Sequence, residues 1–427
     1  MNSSPENITI LHRDHHPISR KQISSATLKV LYRLQEEGFT AYLAGGAVRD
    51  LMLHRQPKDF DVATEATPEQ IRRLFRNCRI IGRRFRLAHV IFKNETIETS
   101  TFRAPIPTTP KDAQQGKTMT VNDGLVIRDN LFGTPEEDAL RRDFTINALF
   151  YNLSDFTVID HAGGLEDLKQ RLIRVIGDPD RRFTEDPVRM IRAARFAGTL
   201  DFQIHQADFD SIRRNAPLLE QASSSRMYEE VQKLFFCGHA KKVYHWLEKT
   251  DLIRPMFTTF SNWVDEDPKR HDWVIQALEQ MDRWREAQLS IHPALLFALI
   301  FGEYHETLIT QKIEKGNAPF DAARDTVYQH LNSICLQVRI PKTVIYQVCD
   351  IMTNQLRFPK TKGRQPQRFM QSAGFLDAFL YLKYTTKTHN RDQDLLEFWA
   401  QLRRENPIKR APHRAQSRRR RPHNRRK

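Results

Sequence analysis

Nineteen residues, LAGGAVRDLMLHRQPKDFD from Leu43 to Asp61, constrain this chain more than any other stretch. An apolar strand over Ala41 to Ala44 runs into Gly45-Gly46, and the spacing then predicts a helix over Val48 to Leu53 and a short strand around Phe60. Glycines at a strand-to-helix turn let backbone N–H groups approach phosphate oxygens, and the helix start adds the positive end of its dipole. Residues i and i+2 of a strand point the same way, so Asp59 and Asp61 present two carboxylates on one face, a pair suited to Mg²⁺. Arg49 adds a cation near the glycines. Taken singly, a Gly-Gly turn is common and an Asp-x-Asp strand end is usually solvated; joined at this spacing, they point to binding of a nucleoside triphosphate.

The flanking sequence fits an α/β segment. Ile23, Leu28, Leu31 and Leu34 make an amphipathic helix between Lys21 and Gly38, Thr67-Pro68 reads as the cap and first residue of another, and Leu87 to Phe92 with Thr96 to Phe102 forms a hairpin through Lys93-Asn94-Glu95. Two cations side by side would let one activate an attacking hydroxyl while the other shields a triphosphate and its leaving pyrophosphate, and such a site wants a third carboxylate. Glu98 on the second arm of the hairpin and Asp143 in RRDFT are both candidates, and the sequence leaves the choice open. Residues 104–130, rich in Pro, Thr, Gln, Gly and Asp, read as a long mobile loop. Its Gly116-Lys117-Thr118 ends like a P-loop, but Lys111 stands where that motif needs glycine. Helix and strand alternate again to about Val175, after which the pattern is helical to about residue 400.

A second motif, RFTEDPVRMIRAARF from Arg182 to Phe196, predicts a helix capped by Thr184 that sets Asp186 and Arg189 at i and i+3 on one face. A carboxylate beside a guanidinium matches the polar edge of adenine and equally that of cytosine; guanine and uracil present the reverse order. Arg192 and Arg195 continue along the same face, within reach of phosphates. The plain alternative is an intrahelical ion pair, worth roughly a few tenths of a kcal/mol. The cluster Arg72, Arg73, Arg76, Arg79, Arg83, Arg84 and Arg86 suits either phosphates or a solvated surface.

The net charge of +15 is unevenly spread, since residues 403–427 hold 12 Lys/Arg and one acid and leave only +4 for the rest. A nearly neutral body with a cationic appendage calls for a polyanion, RNA or DNA ahead of a membrane surface. Arg418, Arg419, Arg420, Arg421, Arg425 and Arg426 supply guanidinium forks suited to RNA phosphates. No run approaches the ~18 apolar residues of a membrane span, and the N-terminal sequence lacks the pattern of a signal peptide, so the expected compartment is the cytoplasm. Cys78, Cys237, Cys335 and Cys349 form no CxxC pair, which argues against a disulfide framework or zinc site.

Together LAGGAVRD, DFD, ETSTFR, RRDFTINAL and EDPVRMIRAARF resemble the class II nucleotidyltransferases, the group of bacterial poly(A) polymerases and tRNA CCA-adding enzymes. The resemblance is strong over about residues 20–230. Within the group, RIIGRRFRLAHVIF (Arg79 to Phe92), HHPISRKQIS and the Arg-rich tail resemble the poly(A) type. It implies an α/β polymerase-β-like nucleotidyltransferase head with a mixed sheet, followed by all-α neck and body domains and a disordered basic tail. The corresponding divisions are a flexible N-terminus (1–20), head (21–176), neck binding base and RNA (177–260), body (261–402) and tail (403–427). Asp59 and Asp61 become the metal-binding catalytic pair, Asp143 a further catalytic aspartate and Glu98 its supporting carboxylate. Gly45, Gly46 and Arg49 would meet the triphosphate, Arg142 the nucleotide, and Asp186 with Arg189 the base. The implied activity is addition of AMP from ATP to RNA 3′ ends with two Mg²⁺ ions; a CCA-adding enzyme and a non-catalytic RNA-binding protein are the alternatives. Ala47 and His54 depart from the family pattern, which has glycine more often at both positions, and His54 is expected to adopt the left-handed helix cap.

Overall fold

The computed structural model describes residues 8–82, 86–104, 119–122, 125–129 and 131–406 of the 427. They fall into two compact units, Met1–Ala222 with Lys242–Pro255, and Ser223–Lys241 with Met256–Lys427. The first unit is built on strands β1 (Thr9–Leu11), β2 (Ala41–Ala44), β3 (Asp61–Thr64), β4 (Cys78–Ile81), β5 (Leu87–Ile91) and β6 (Thr96–Thr101). To these it adds β7 (Met119–Asn122), β8 (Leu125–Asp129), β9 (Leu149–Asn152) and β10 (Thr157–Asp160). Eight of them form one sheet in the order β1-β10-β9-β2-β3-β6-β5-β4; β3 and β6 run parallel and every other neighbouring pair is antiparallel. The mixed sheet and the predicted β5–β6 hairpin are both present.

Helix α1 (Ser25–Glu36) buries Val30, Leu31 and Leu34 and is capped by Ser24 Oγ, which accepts from Thr27 N at 3.1 Å. Helices α2 (Gly46–Met52) and α3 (Pro68–Leu74) follow, the latter with a reciprocal capping box between Thr67 and Gln70. A box of this kind is worth about 1 kcal/mol. His54 takes φ +55 just past α2, as its position at the missing glycine requires. The remaining helices of this unit used below are α4 (Pro135–Arg141), α5 (Gly164–Gln170), α6 (Pro179–Glu185) and α7 (Val188–Leu200).

Several sequence expectations need correction. Residues 8–20 are not a loose terminus: β1 pairs with β10, and buried His16 places its Nε2 2.7 Å from the Phe156 carbonyl. Apolar-polar alternation over three residues is too short to read as a strand. Within 104–130, β7 and β8 pair where composition suggested loop alone; the Gly116-Lys117-Thr118 segment lies outside the described residues. The strand expected around Phe60 starts instead at Asp61. The single helix expected from Thr184 is two, because Pro187 drives Asp186 to φ −152, ψ 90 and ends α6 at Glu185. Thr184 is no cap; its hydroxyl donates to the Asp180 carbonyl. The expected neck does not stand apart, since residues 177–222 and 242–255 group with the head and 223–241 with the body.

The second unit is helical throughout its described residues. Helices Pro268–Glu286, Pro293–Glu314 and Pro319–Ile334 each begin with proline at the first turn, where its missing N–H is no loss. Gly302 leaves room for Tyr381, whose hydroxyl donates to Glu306 Oε1 at 2.8 Å. No described helix is long and apolar enough to cross a membrane.

His305 and His330 lie in this core with ring nitrogens 2.8 Å apart, walled by Phe301 and Tyr304. Burial pushes His330 down to about 4 and His305 well below the usual imidazole value, with His330 adding to the push on His305. The unfolded chain therefore takes up protons below about pH 6.5 that the folded unit refuses. Stability from this pair is full above that pH and is lost as pH falls towards 4, by roughly 3 kcal/mol from His330 alone. Urea unfolding followed by tryptophan fluorescence should show the loss, and it should shrink in His330→Leu; a pH-independent midpoint would contradict it.

Candidate active site

Asp61 opens β3 opposite Ala44, the last residue of β2, and on its other side pairs with Glu98 of β6. Glu98 faces His89 of β5, and His89 faces Arg79 of β4. Directly opposed residues share a sheet face, so one row carries Asp61, Glu98, His89 and Arg79. His89 Nε2 lies 3.6 Å from Glu98 Oε2. The Asp61 carboxyl is pushed up to about 6, first by desolvation, then by Glu98 and Asp59, with Arg142 pulling the other way. A carboxylate whose proton affinity is raised by neighbouring acids is relieved by a cation. Among the described residues no three His, Cys, Asp or Glu side chains converge tightly enough to cage a metal. Mg²⁺ asks for one or two carboxylates and fills its shell with water and substrate phosphates, so the residues present fit it.

Beside the carboxylates stands a set of guanidiniums, each held by its own acid. Arg49 donates through Nε and Nη2 to Asp50 Oδ1 at 2.9 and 2.7 Å. Arg142 donates through Nη2 to Asp138 Oδ2 at 3.0 Å, and Arg192 through Nε to Asp143 Oδ2 at 2.8 Å. Asn147 links all three. Its Oδ1 accepts from Arg49 Nη1 at 2.6 Å, its carbonyl from Arg142 Nη1 at 3.2 Å, and its Nδ2 donates to Asp143 Oδ1 at 3.1 Å. Arg49, Arg192 and Arg195 also lie over the Phe196 ring, 5.0, 5.5 and 4.4 Å from its centroid. Arg192, Asn147 and the Phe144 N–H together outweigh burial and hold the Asp143 carboxyl at about 2.

Gly45 is the glycine this arrangement cannot do without. It sits at φ +68, and a Cβ there would stand 2.6 Å from Arg142 Nη1; one at Gly46 would meet Arg49 only at 3.6 Å. Gly45→Ala should therefore cost about 1–3 kcal/mol and displace Arg142, whereas Gly46→Ala, at a helix start, should leave thermal unfolding unchanged. Equal losses in the two variants would contradict the assignment.

Comparison with known proteins places this geometry. Three family models match: "Poly A polymerase head domain" over residues 41–174, "Probable RNA and SrmB- binding site of polymerase A" over 201–263, and "Polymerase A arginine-rich C-terminus" over 315–427. The chain is 42% identical to poly(A) polymerase I of Salmonella typhi over 409 residues, 94% of this chain and 87% of that protein. It belongs to the poly(A) polymerase I family. The Haemophilus influenzae poly(A) polymerase I is 38% identical across 90% of this chain and 85% of its own length. A CCA-adding enzyme of Lactobacillus helveticus is 37% identical over 53% of this chain and 53% of that enzyme. Among solved structures, the Bacillus stearothermophilus CCA-adding enzyme in complex with CTP superposes with a TM-score of 0.60 at 26% identity, covering 88% of this chain and 80% of that one.

In this poly(A) polymerase family member the structure distributes the sequence candidates unevenly. Asp61, Glu98, Asp59, Gly45, Gly46, Arg49 and Arg142 gather at the β2–α2 turn and the end of β3, although Asp59 precedes the strand and the i, i+2 argument does not apply to it. Asp143 is bound to Arg192 and Asn147, so Arg192, expected within reach of phosphates, is also the ion-pair partner of a site aspartate. Asp186 lies in extended backbone before α7, and Arg189 Nη1 donates to the Arg182 carbonyl at 2.7 Å with Glu185 at 3.7 Å. Arg83, Arg84 and the tail arginines Arg418 to Arg421, Arg425 and Arg426 lie outside the described residues. The sequence motifs do not single out Asn147 or His89. The available signal for Asn147 was an amide inside the apolar run Ile146-Asn147-Ala148-Leu149, where burial demands polar partners.

Proposed function

We propose that this chain transfers AMP from ATP to RNA 3′ ends without a template, using Asp61, Asp59 and Glu98 as the acidic site and Arg49 and Arg142 as the triphosphate grip. The observation that carries the reading is the row from Ala44 through Asp61 to Glu98 lying against guanidiniums joined at Asn147. Mg²⁺, as two ions, would supply the acidity that ionises the RNA hydroxyl and the charge that shields the departing pyrophosphate. The chain's own part is placement. Gly45 lets Arg142 lie along the turn, Asp50 and Asp138 fix the two guanidiniums, and Asn147 keeps them in register with Asp143 and Arg192, which tie the head to α7. Asp143 thus serves as a positioning residue and Glu98 as the third carboxylate. Asp186 and Arg189, at the start of α7, read the base edge, and the tail arginines hold RNA phosphates.

Adenine rather than cytosine as the substrate base is supported by likeness to poly(A) polymerase I over nearly the whole chain, against about half for the CCA-adding relative. A CCA-adding activity is the second reading, supported by the structural likeness to the enzyme seen with CTP. Incubation with Mg²⁺, a generic RNA primer and one nucleotide at a time should give long extension with ATP and little with CTP, GTP or UTP. Comparable use of CTP, or extension confined to tRNA ends, would replace the first reading by the second.

A further inference from the structure

The helical second unit carries cations that neither the acidic row nor the guanidinium set uses. From Ile351 to Leu376 the chain has five basic residues, Arg357, Lys360, Lys362, Arg364 and Arg368, and no acid. All five are exposed, on the turn after helix Lys342–Gln355 and on the short helix Gln365–Met370. Among the described residues Lys360, Lys362, Arg364 and Arg368 have no ion-pair partner, while Arg324 and Arg391 of the same unit are paired with Asp321 and Glu306. The turn is nonetheless firmly built. Phe358 and Phe369 are buried with Phe375 and Trp399, the Trp399 indole donates to the Phe358 carbonyl at 3.0 Å, and Arg357 lies 4.4 Å above the Phe369 ring. Beside it Phe320 is 47% exposed, with Lys360 Nζ 6.0 Å from its ring centre. Trp399 belongs to helix Gln393–Glu405, which leads into the Arg-rich sequence, so the turn is anchored to the element from which that sequence departs.

We infer that the surface formed by Lys360, Lys362, Arg364, Arg368 and Phe320 binds single-stranded RNA, the cations along its phosphates and Phe320 against a base. A rigid, unpaired cationic turn next to an exposed ring is what sequence-tolerant single-strand binding uses. An anionic membrane is the weaker fit, because Phe358, Pro366, Phe369 and Met370 are spent in the core and leave little beyond Phe320 to insert. The inference rests on RNA being the substrate, yet it concerns binding and is measured without ATP or Mg²⁺.

The test is equilibrium binding of a fluorescent twenty-residue oligoadenylate to the full chain across 50–300 mM NaCl. The comparison variants are Lys360→Ala/Lys362→Ala/Arg364→Ala/Arg368→Ala, Phe320→Ala and Lys29→Ala, with thermal unfolding as the check that each is folded. The quadruple variant should bind at least about tenfold more weakly at 100 mM salt and lose up to about three from the slope of log K against log salt. Phe320→Ala should weaken binding about fivefold at unchanged slope, and Lys29→Ala, at an exposed position of α1, should bind as the parent does. An unchanged slope and affinity in a folded quadruple variant would overturn the inference while leaving nucleotidyl transfer untouched. Loss of binding to phosphatidylglycerol vesicles with RNA binding intact would likewise overturn it, in favour of a membrane. A chain that shows the slope change but adds no AMP would leave this surface standing and reject the proposed reaction.

Discussion

Asp61→Ala is expected to lower AMP addition more than a thousandfold and to leave the fold intact. Loss of a single preorganised donor elsewhere costs ~10²–10³-fold; Asp61 is at the centre of the acidic row, so its loss should exceed that. Its effect on stability should have the opposite sign. Because desolvation, Glu98 and Asp59 push the Asp61 carboxyl up to about 6, the folded head is favoured with Asp61 protonated and is penalised as pH rises through that value. At pH 7.5 the charge-free Asp61→Asn should therefore melt no lower than the parent, and the head's stability should depend less on pH between 4 and 7. Concerted loss of activity and of melting temperature would mean that Asp61 is a structural residue. Acidic residues crowded at a strand end against their own repulsion are the cost a site accepts for holding a cation.

Asp143→Ala should behave in the contrary way. Its carboxyl is held at about 2 by Arg192, Asn147 and the Phe144 N–H, so it stabilises the head at any pH above the unfolded value of about 3.9, and that contribution is lost as pH falls through 2. Removing the acid leaves Arg192 without its anion and Asn147 without an acceptor. A partly buried pair broken in this way costs about 3 kcal/mol, which calorimetry will register as a lower melting temperature. The KM for ATP should rise with it, because Arg49 and Arg142 lose their common brace, and Arg192→Lys should reproduce part of both effects. If Asp143→Ala melted like the parent while activity vanished, Asp143 would be acting directly at the reacting atoms and Glu98 would not be the third carboxylate.

The contrast between these two aspartates marks what the sequence could and could not convey. Helix α1, the capped start of α3, the β5–β6 hairpin and the left-handed cap at His54 follow from local rules of periodicity, capping and backbone freedom, and they appear as expected. The pairing of Asp61 with Glu98 depends on β3 and β6 lying parallel, a contact between residues 37 positions apart that no local pattern encodes. Composition and spacing name both Glu98 and Asp143 as candidates; register sets Glu98 beside Asp61, while Asp143 lies with Arg192 and Asn147. Pro187 was visible in the sequence, yet the helical spacing of Asp186, Arg189, Arg192 and Arg195 hid the break that it imposes. Asn147 stands out in no motif, because its role lies in three hydrogen bonds, one of them to Arg49, 98 positions away.

The central claim is that this chain lengthens RNA with adenylate alone, and sequencing of primer 3′ ends tests it most directly. The parent and Asp61→Ala chains are incubated with a generic RNA, Mg²⁺ and all four nucleoside triphosphates at equal concentration. The account predicts homopolymeric A extensions from the parent and unextended ends from the variant. Tails of mixed composition, a C-C-A addition restricted to tRNA, or equal extension by Asp61→Ala would contradict it.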